Sequence, residues 1–353
     1  MGVFETVGVE SHESVHFGVD QESGLRSIVA IHDTTLGPGL GGARFYPYET
    51  EDDALTDVLR LSKGMTYKAA CAGLAFGGGK AVIIGDPSTD GSEALFTAYG
   101  KFIESLGGSY ITAEDVGTTV PNMVVVSNET DYVSGLPMAQ GGSGDPSPAT
   151  ARGVIAALEA VAKRLWGDDS LRGRRVAIKG IGKVGMSLAE RLHGFGAELV
   201  VADIDEMATD LAARDLGAKI TSVDDIHSVD CDIFSPCALG ADLHETSIPE
   251  LGCAAIAGSA NNQLATDADG QRLKAAGILY APDFVVNAGG IINIAAELGG
   301  YSVARAASMV DKINVNLTEI LDEADRFDTD THQAAKHVAQ RRIAAAKANG
   351  STQ

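Results

Sequence analysis

The sequence predicts a two-domain α/β protein in which a mixed-sheet domain precedes a doubly wound, parallel-sheet domain, with a cleft between the two. Its 353 residues favour two hydrophobic cores over one. A Gly/Pro/Ser-rich stretch at 141–148 has the composition of a linker, and strand-like runs alternate with helical patterns on both sides of it. We therefore predict a first domain over residues 1–134, a second over 135–329, and a C-terminal helix over 330–353 that packs back on the first domain.

The first domain is predicted from apolar periodicity. Residues 14–32 alternate apolar and polar around a turn at 21–24, which is typical of a β-hairpin. Thr50 precedes three acidic residues, the pattern of a capped helix start, and helical apolar spacing continues from there to Lys68. The other predicted elements are a glycine-rich loop over 37–42, a glycine-rich interruption at 77–79, a strand over 81–84, a helix over 92–106 and a strand over 110–113.

The second domain carries the most informative motif. Residues 174–179 are predicted as a buried strand and residues 186–193 as the start of a helix, and 180–185 between them follow the pattern Gly-x-Gly-x-x-Gly. A second apolar strand, 199–202, ends at Asp203, at the distance from the glycines that a dinucleotide site requires. This order predicts a Rossmann dinucleotide-binding domain, for which a glycine-rich turn in another α/β unit is the alternative. Further strands are predicted near 218–220, 231–234, 254–257 and 278–281, and helices over 149–166, 303–325 and 330–346.

The motif also indicates the cofactor. Gly180 permits a tight turn, Gly182 lets the backbone approach a pyrophosphate, and Gly185 lets the helix pack closely on the strand. The phosphates are expected at the helix N-terminus, where N–H groups and the helix dipole favour anions. Because the carboxylate of Asp203 can bind the ribose hydroxyls and repels a 2′-phosphate, the sequence favours NAD over NADP.

Composition and charge exclude several classes of protein. The formal net charge of −21 argues against nucleic acid or an anionic membrane as a partner. It is explained by an acidic, solvated surface, with adaptation to high salt as the alternative. The four cysteines lack paired spacing, so we expect reduced thiols in a cytoplasmic protein and no metal site. No apolar run approaches about 18 residues and no basic-then-apolar segment opens the chain, so we expect no transmembrane or secretory segment.

Three residues of the first domain are candidates for catalysis. Lys68 ends the predicted helix and Lys80 follows three glycines, which allow close approach of backbone and substrate. Neighbouring, buried ammonium groups disfavour each other's charge, so one can be neutral at about pH 8 and act as a base while the other binds a carboxylate. Asp115 follows a strand, where α/β sheets present catalytic groups. Taken singly, each lysine is better explained as a solvated surface charge, and the neighbouring glycines and apolar residues make the two explanations equal.

Several strings, in order along nearly the whole chain, resemble the amino-acid dehydrogenase superfamily, and specifically its leucine/valine/phenylalanine branch. They are residues 34–42, 65–68, 77–80, 112–118, 144–150, 258–263 and 287–290. The resemblance implies that Lys80 is the general base that activates water and that Asp115 moves the proton of the amino group. It implies that Lys68 binds the substrate α-carboxylate, and that the first domain forms a homo-oligomer. Further ligands of that carboxylate are implied to be Gly41, Gly42 and Asn262, and the cofactor is implied to contact Gly180, Gly182, Lys183, Val184, Gly185, Asp203, Thr150, Cys237, Ala238 and Asn261.

The resemblance also implies a substrate class. The side-chain pocket of the family maps onto small or apolar residues, namely Leu40, Met65, Ala113, Ser134, Ile291 and Ile294. No lysine is placed there to bind a second carboxylate, which argues against glutamate. The implied reaction is NAD-dependent oxidative deamination of branched-chain L-amino acids to 2-oxo acids, in which Ile291 and Ile294 favour valine and isoleucine relative to leucine. The alternatives are a phenylalanine dehydrogenase and, from another class, a catalytically inactive NAD-binding regulatory protein.

Overall fold

The computed structural model describes residues 11–350. The expectation about the amino-terminal segment falls on residues 1–10, outside the described residues. The strands are β1 Ser14–Asp20, β2 Leu25–Asp33, β3 Gly39–Tyr46, β4 Gly77–Ile84, β5 Tyr110–Glu114, β6 Arg175–Lys179, β7 Glu198–Ala202, β8 Lys219–Ile220, β9 Ile233–Pro236, β10 Ala255–Ile256 and β11 Leu279–Tyr280. The α-helices are α1 Glu51–Ala72, α2 Pro87–Asp90, α3 Glu93–Ser105, α4 Val120–Ser127, α5 Ser147–Trp166, α6 Lys183–Phe195, α7 Glu206–Leu216, α8 Ala268–Ala275, α9 Asp283–Val286, α10 Gly289–Ala295, α11 Val303–Phe327 and α12 Thr331–Gly350.

The chain forms two compact units. The first, unit 1, comprises the residues up to Asp145 together with Asn293–Arg305 and the residues from Ala339 onward. The second, unit 2, comprises Pro146–Ile292 and Ala306–Val338. None of the helices within residues 11–350 is long and apolar enough to cross a membrane.

Unit 1 contains a mixed five-stranded sheet in the order β1-β2-β4-β3-β5. The hairpin β1–β2 is antiparallel, β2 pairs antiparallel with β4, and β3 runs parallel to both β4 and β5. Apolar residues of α1, including Leu55, Val58 and Leu59, cover one face of the sheet, while Phe96 and Tyr99 of α3 belong to the core on the other. The predicted α/β domain with a mixed sheet is therefore present.

Two predictions about glycines in unit 1 are wrong. The segments predicted as a loop over 37–42 and an interruption at 77–79 lie largely within β3 and β4. Glycine within a strand is unfavourable because its backbone loses more conformational entropy on folding, but close packing at these positions leaves no room for a side chain. A Cβ on Gly78 would lie 2.0 Å from the hydroxyl oxygen of Thr66 on α1, and a Cβ on Gly79 would lie 2.5 Å from the ring of Tyr110. Gly78 therefore allows α1 to pack directly on the backbone of β4, and Gly79 makes room on that strand for the ring of Tyr110 from β5.

Unit 2 contains a six-stranded parallel sheet in the order β11-β10-β9-β6-β7-β8. Counted from β6, this is the doubly wound order 3-2-1-4-5-6 of dinucleotide-binding domains. Ligands of such sheets bind outside the carboxyl ends of the strands, where the strand order reverses. In this unit the reversal lies between β6 and β9, and β6 ends immediately before the glycine motif. The Rossmann fold predicted from the sequence is present.

The limits of the compact units differ from the predicted domain limits. The units divide between Asp145 and Pro146 rather than after residue 134, and Asn293–Arg305 belongs to unit 1. Glu297 provides the physical reason, because its carboxylate accepts hydrogen bonds from the backbone N–H groups of Gly135 and Ser143, each at 2.9 Å. The C-terminal helix α12 joins unit 1 from Ala339 onward.

Candidate active site

Lys80 and Asp115 form an ion pair in unit 1. Nζ of Lys80 lies 2.9 Å from Oδ1 of Asp115, and Lys80 is only 5% exposed. Lys80 lies on β4 and Asp115 follows β5, and these two strands flank β3. A Cβ on Gly42 of β3 would lie 2.7 Å from the Cβ of Asp115 and 2.4 Å from the carbonyl oxygen of Glu114. The bare backbone of β3 therefore allows a lysine on one side to reach an acid on the other.

A carboxylate contacts Lys80, whereas the suggestion that Lys68 and Lys80 influence each other's charge stays a prediction. The residue in contact with Lys80 is a carboxylate, and a carboxylate favours the charged ammonium. Lys68 lies half-buried on α1, one turn after Met65. The side chain of Met65 packs toward Gly41, since a Cβ on Gly41 would lie 3.6 Å from the Cγ of Met65. The predicted residues of α1 and β3 thus belong to one side of unit 1.

The carboxylate of Asp115 has a second cationic partner. Nε of Arg44 donates to Oδ2 of Asp115 at 3.3 Å, and Nη1 of Arg44 donates to Asp57 at 2.8 Å. Burial raises the pKa of Asp115, but the charges of Lys80 and Arg44 outweigh it and hold that pKa below its usual range. Asp115 is thus ionised at neutral pH.

The predicted side-chain pocket is partly assembled within unit 1. Leu40 on β3 and Ala113 on β5 are fully buried, and the backbone N–H of Ser134 donates to the carbonyl of Thr112. The hydroxyl of Ser134 donates to the carbonyl of Ile294 at 2.9 Å, which joins the end of α10 to this region. Ile291 lies on the same helix, three residues before Ile294 and therefore on the same face.

The glycine motif of unit 2 fits a dinucleotide. Gly180 has a φ of +101°, which favours glycine, and a Cβ there would lie 2.8 Å from the backbone nitrogen of Ala238. A Cβ on Gly185 would lie 2.0 Å from the carbonyl oxygen of Gly180, so only glycine lets α6 approach β6 this closely. Gly182, the N-cap of α6, faces open space and provides no side-chain cap. The N-terminus of α6, which continues through Lys183 and Val184, is thus open to an anion.

Asp203 is fixed next to this motif. Its Oδ2 accepts from the backbone N–H of Ile181 at 2.5 Å, and its Oδ1 accepts from the N–H of Asp205 at 2.9 Å. These bonds hold the carboxylate at the carboxyl end of β7, beside the glycine turn. Asp205 caps α7 by accepting from Met207, so it has a structural role as well as a charge.

The residues predicted for the nicotinamide end lie in unit 2, on the first turn of α5 and in the loops that follow β9 and β10. Nδ2 of Asn287 donates to Oδ1 of Asn261 at 2.7 Å, and a Cβ on Gly290 would lie 3.1 Å from the hydroxyl of Thr150. Asn262 has a φ of +51°, a strained conformation that asparagine tolerates better than most residues. The loop of Cys237 and Ala238 follows β9 and packs against the glycine turn.

Sequence reasoning missed two residues of these sites, Arg44 and Asn287. Arg44 lies two residues after Gly42 on β3, and this period of two, which places both on one face, was the available signal. Oδ1 of Asn287 is buried with no hydrogen-bond partner among the described residues. Its position in the string 287–290 was the only signal. In the part of the chain that the structure describes, no group of three or more histidine, cysteine or acidic side chains is arranged to hold a metal ion.

Two family models match the chain. The model described as Glu/Leu/Phe/Val dehydrogenase, dimerisation domain, matches residues 10–132. The model described as Glutamate/Leucine/Phenylalanine/Valine dehydrogenase matches residues 141–209 and 202–350. Together they cover both compact units.

Individual relatives are similar over nearly their whole length. A leucine dehydrogenase from Geobacillus stearothermophilus is 50% identical over 343 residues, which are 97% of this chain and 94% of the relative. A phenylalanine dehydrogenase from Lysinibacillus sphaericus is 49% identical over 340 residues, 95% of this chain and 89% of the relative. The crystal structure of L-tryptophan dehydrogenase from Nostoc punctiforme superposes with a TM-score of 0.87 at 41% identity, covering 98% of this chain and 100% of that chain.

Proposed function

Because the chain belongs to the glutamate/leucine/phenylalanine/valine dehydrogenase family, an amino-acid dehydrogenase family, we propose that it oxidatively deaminates branched-chain L-amino acids with NAD. The reaction converts the L-amino acid, water and NAD⁺ into a 2-oxo acid, ammonium, NADH and a proton. The observation that carries the proposal is the 2.9 Å contact between buried Lys80 and Asp115, beside the glycines of β3. An inactive regulatory protein would have no need to keep this charged pair.

Lys68 and Asp115 have distinct roles in binding and deprotonating the substrate in this proposal. Lys68 binds the substrate α-carboxylate together with the backbone of Gly41 and Gly42, and Asn262 is a further ligand. Asp115 accepts a proton from the substrate ammonium, so that the amino nitrogen carries a lone pair when the Cα–H bond breaks. Ionised Asp115 is suited to this because its lowered pKa keeps it deprotonated before the substrate arrives.

Lys80 acts at the hydrolytic stage of the reaction. Bound NAD⁺ supplies the chemistry of accepting a hydride from the substrate Cα. Neutral Lys80 then takes a proton from water as the hydroxide adds to the carbon of the resulting imine. Asp115 returns its proton to the nitrogen and takes the proton of the new hydroxyl as the carbonyl forms and ammonia leaves. Lys80 and Asp115, which lie 2.9 Å apart, then each hold one proton; one is taken up by ammonia to give ammonium and the other is released to solvent, as the overall reaction requires.

NAD is proposed as the cofactor from Asp203. Its fixed carboxylate can accept hydrogen bonds from the ribose hydroxyls and repels a 2′-phosphate. We expect kcat/KM with NAD to exceed that with NADP by well over tenfold, roughly more than 1.4 kcal/mol of discrimination. Initial rates at 340 nm with valine and each cofactor measure this ratio, and Asp203→Ala is expected to lower it. Asp205→Asn, which retains a helix-capping oxygen, is the matched control; comparable rates of the wild type with both cofactors would contradict the proposal.

Initial rates over a panel of aliphatic and aromatic L-amino acids with NAD test the substrate class. We expect valine, isoleucine and leucine to give the highest kcat/KM, because the residues proposed to contact the substrate side chain, Leu40, Ala113, Ile291 and Ile294, are all apolar. A preference for phenylalanine would instead identify a phenylalanine dehydrogenase. Turnover of no amino acid in the panel would support the inactive regulatory alternative.

The volume at Ile291 and Ile294 is expected to set the choice among aliphatic substrates. Replacing either residue with valine should lower the ratio of kcat/KM for valine to that for leucine. Replacing both with alanine should make phenylalanine a substrate. Each lost methylene opens space worth about 0.8 kcal/mol to a side chain that fills it. Ile292→Val is the matched control, since Ile292 is also buried on the same helix, at 1% exposure, but follows Ile291 directly and therefore points in a different direction. An unchanged valine-to-leucine ratio of kcat/KM in the single variants would show that neither isoleucine contacts the substrate side chain.

We also propose that the protein is a homo-oligomer built through unit 1. The family model that matches residues 10–132 is described as a dimerisation domain, which supports this. Multi-angle light scattering of the purified chain gives the mass directly. A cytoplasmic, reducing location is consistent with the four cysteines, which are all free thiols.

A further inference from the structure

The carboxylate of Asp115 is shared between two cations that approach its two oxygens. Lys80 contacts Oδ1 at 2.9 Å and Arg44 contacts Oδ2 at 3.3 Å. Lys80 comes from β4 and Arg44 from β3, so the two cations reach the acid from different strands. The two cations therefore share one carboxylate, with one cation at each oxygen.

Arg44 is itself held by a second acid. Its Nη1 lies 2.8 Å from Oδ2 of Asp57 on α1, and that same oxygen accepts from the hydroxyl of Tyr48 at 2.7 Å. The other oxygen of Asp57 accepts from Arg60 at 3.1 Å. The side chains of Arg44 and Asp57 are 24% and 14% exposed, whereas that of Arg60 is 65% exposed. Arg44 therefore bridges a supporting acid and the proposed catalytic acid in a partly buried position.

We propose that Arg44 is a positioning residue that controls how readily Lys80 releases its proton, by sharing the carboxylate of Asp115. This inference rests on the proposed function, in which Lys80 must become neutral to activate water. A carboxylate that also binds a guanidinium stabilises a neighbouring ammonium less than one that binds the ammonium alone. Without Arg44, the negative charge of Asp115 acts on Lys80 undivided, and the ammonium persists to higher pH.

The other ionisable groups on the surrounding elements do not replace Arg44. Tyr110 on β5 donates its hydroxyl to the carbonyl of Gly41 at 2.5 Å, and burial raises its pKa well above the ordinary value, so it is neutral. On α1, Arg60 contacts Asp57 from the solvent side, and Lys68 is proposed to bind the substrate. Arg44 and Lys80 both contact Asp115 directly, and these two contacts carry the inference.

The test is the pH dependence of kcat/KM for valine oxidation, which reports groups of the free enzyme. In Arg44→Gln, we expect the limb that rises with pH to move to higher pH by about 0.5–1 unit, as a unit charge lost at this range would produce. In Asp57→Asn, Arg44 loses one of its two carboxylate partners and its positive charge is balanced by Asp115 alone. Asp115 then stabilises the ammonium of Lys80 less, so we expect the limb to shift to lower pH. Arg60→Gln removes the same charge from an exposed position and is expected to leave the limb within about 0.2 unit, because solvent screens it.

Further variants separate charge from structure. Arg44→Lys keeps the charge and is expected to return the limb toward its wild-type position even if kcat stays reduced. Tm reports whether each variant still folds. NADH affinity reports whether unit 2, which carries the glycine motif, is unaffected by the change in unit 1. If Arg44→Gln does not fold, the shift to lower pH expected for Asp57→Asn, compared with the unchanged limb expected for Arg60→Gln, decides the question.

The inference is overturned if Arg44→Gln keeps the wild-type limb, if Arg60→Gln shifts as far as Arg44→Gln, or if Asp57→Asn fails to move the limb to lower pH. Failure of the proposed function is recognised separately. It would appear in the wild type as absent valine oxidation, before any Arg44 variant is measured.

Discussion

Replacing Lys80 with alanine is expected to lower kcat for valine oxidation by at least about a hundredfold while NADH still binds. General-base catalysis contributes about 10²–10⁴-fold, and methyl cannot take a proton from water. The variant should fold, because Asp115 retains the ion pair with Arg44 at 3.3 Å and is not left as an unpaired half-buried charge. The NADH site should survive, since Lys80 belongs to unit 1 and the glycine motif to unit 2.

Steady-state rates at 340 nm give kcat and KM for valine, and fluorescence titration gives the NADH dissociation constant. Lys101→Ala is the matched control, because it removes a lysine from the exposed surface of α3 in the same unit. Lys68→Ala is expected to raise KM for valine more than it lowers kcat, since its proposed role is binding. If Lys80→Ala kept more than about a tenth of the wild-type kcat, general-base catalysis could not be assigned to this residue.

Gly185→Ala should abolish high-affinity NADH binding. The added methyl would lie 2.0 Å from the carbonyl oxygen of Gly180, so the first turn of α6 would have to move away from β6. Overpacking of this kind costs about 1–3 kcal/mol of folding free energy. The displaced helix would also no longer present its N–H groups beside Asp203. We expect a loss of NADH affinity of at least about tenfold, equivalent to roughly 1.4 kcal/mol.

Two other glycines near α6 provide controls for this variant. Gly182→Ala should fold normally, because a Cβ there meets nothing within 4 Å, yet it should weaken NADH binding by filling the space expected for the phosphates. Gly194→Ala, near the end of the same helix, also meets nothing within 4 Å. It should retain NADH affinity and gain up to about 1 kcal/mol of stability, because alanine favours helices. Wild-type NADH affinity in Gly185→Ala would show that close packing at Gly185 is not needed.

The elements that could be predicted from the sequence are those specified by local signals. The hydroxyl of Thr50 accepts from the backbone of Asp53 and caps α1, as the sequence pattern predicted. The hairpin β1–β2 follows from the alternation of residues 14–32 around its turn. The motif between β6 and Asp203 is contained in about 30 consecutive residues, so its geometry is encoded by neighbours in the chain.

The candidate site was predictable only in part. Lys80 and Asp115 were identified from their strand positions and from the family resemblance, and the structure brings them into contact. Arg44 was missed because its contact with Asp115 joins residues 71 positions apart, and no local pattern reports which partner an arginine will find. The catalytic roles of these residues stay predictions until the variants are measured.

The sequence by itself determined the presence of two α/β domains, the dinucleotide-binding motif and the family to which the chain belongs. Only the tertiary structure decided that the glycines at 39–42 and 77–79 form strands. Their backbone freedom favours a loop, but Thr66 and Tyr110 pack where side chains of Gly78 and Gly79 would be, and the backbone of neighbouring strands lies where side chains of Gly41 and Gly42 would be. Tertiary contacts also assigned Asn293–Arg305 to unit 1, because Glu297 binds backbone N–H groups more than 150 residues earlier in the chain. Such contacts depend on which surfaces meet after folding, and that information is not present in any single stretch of sequence.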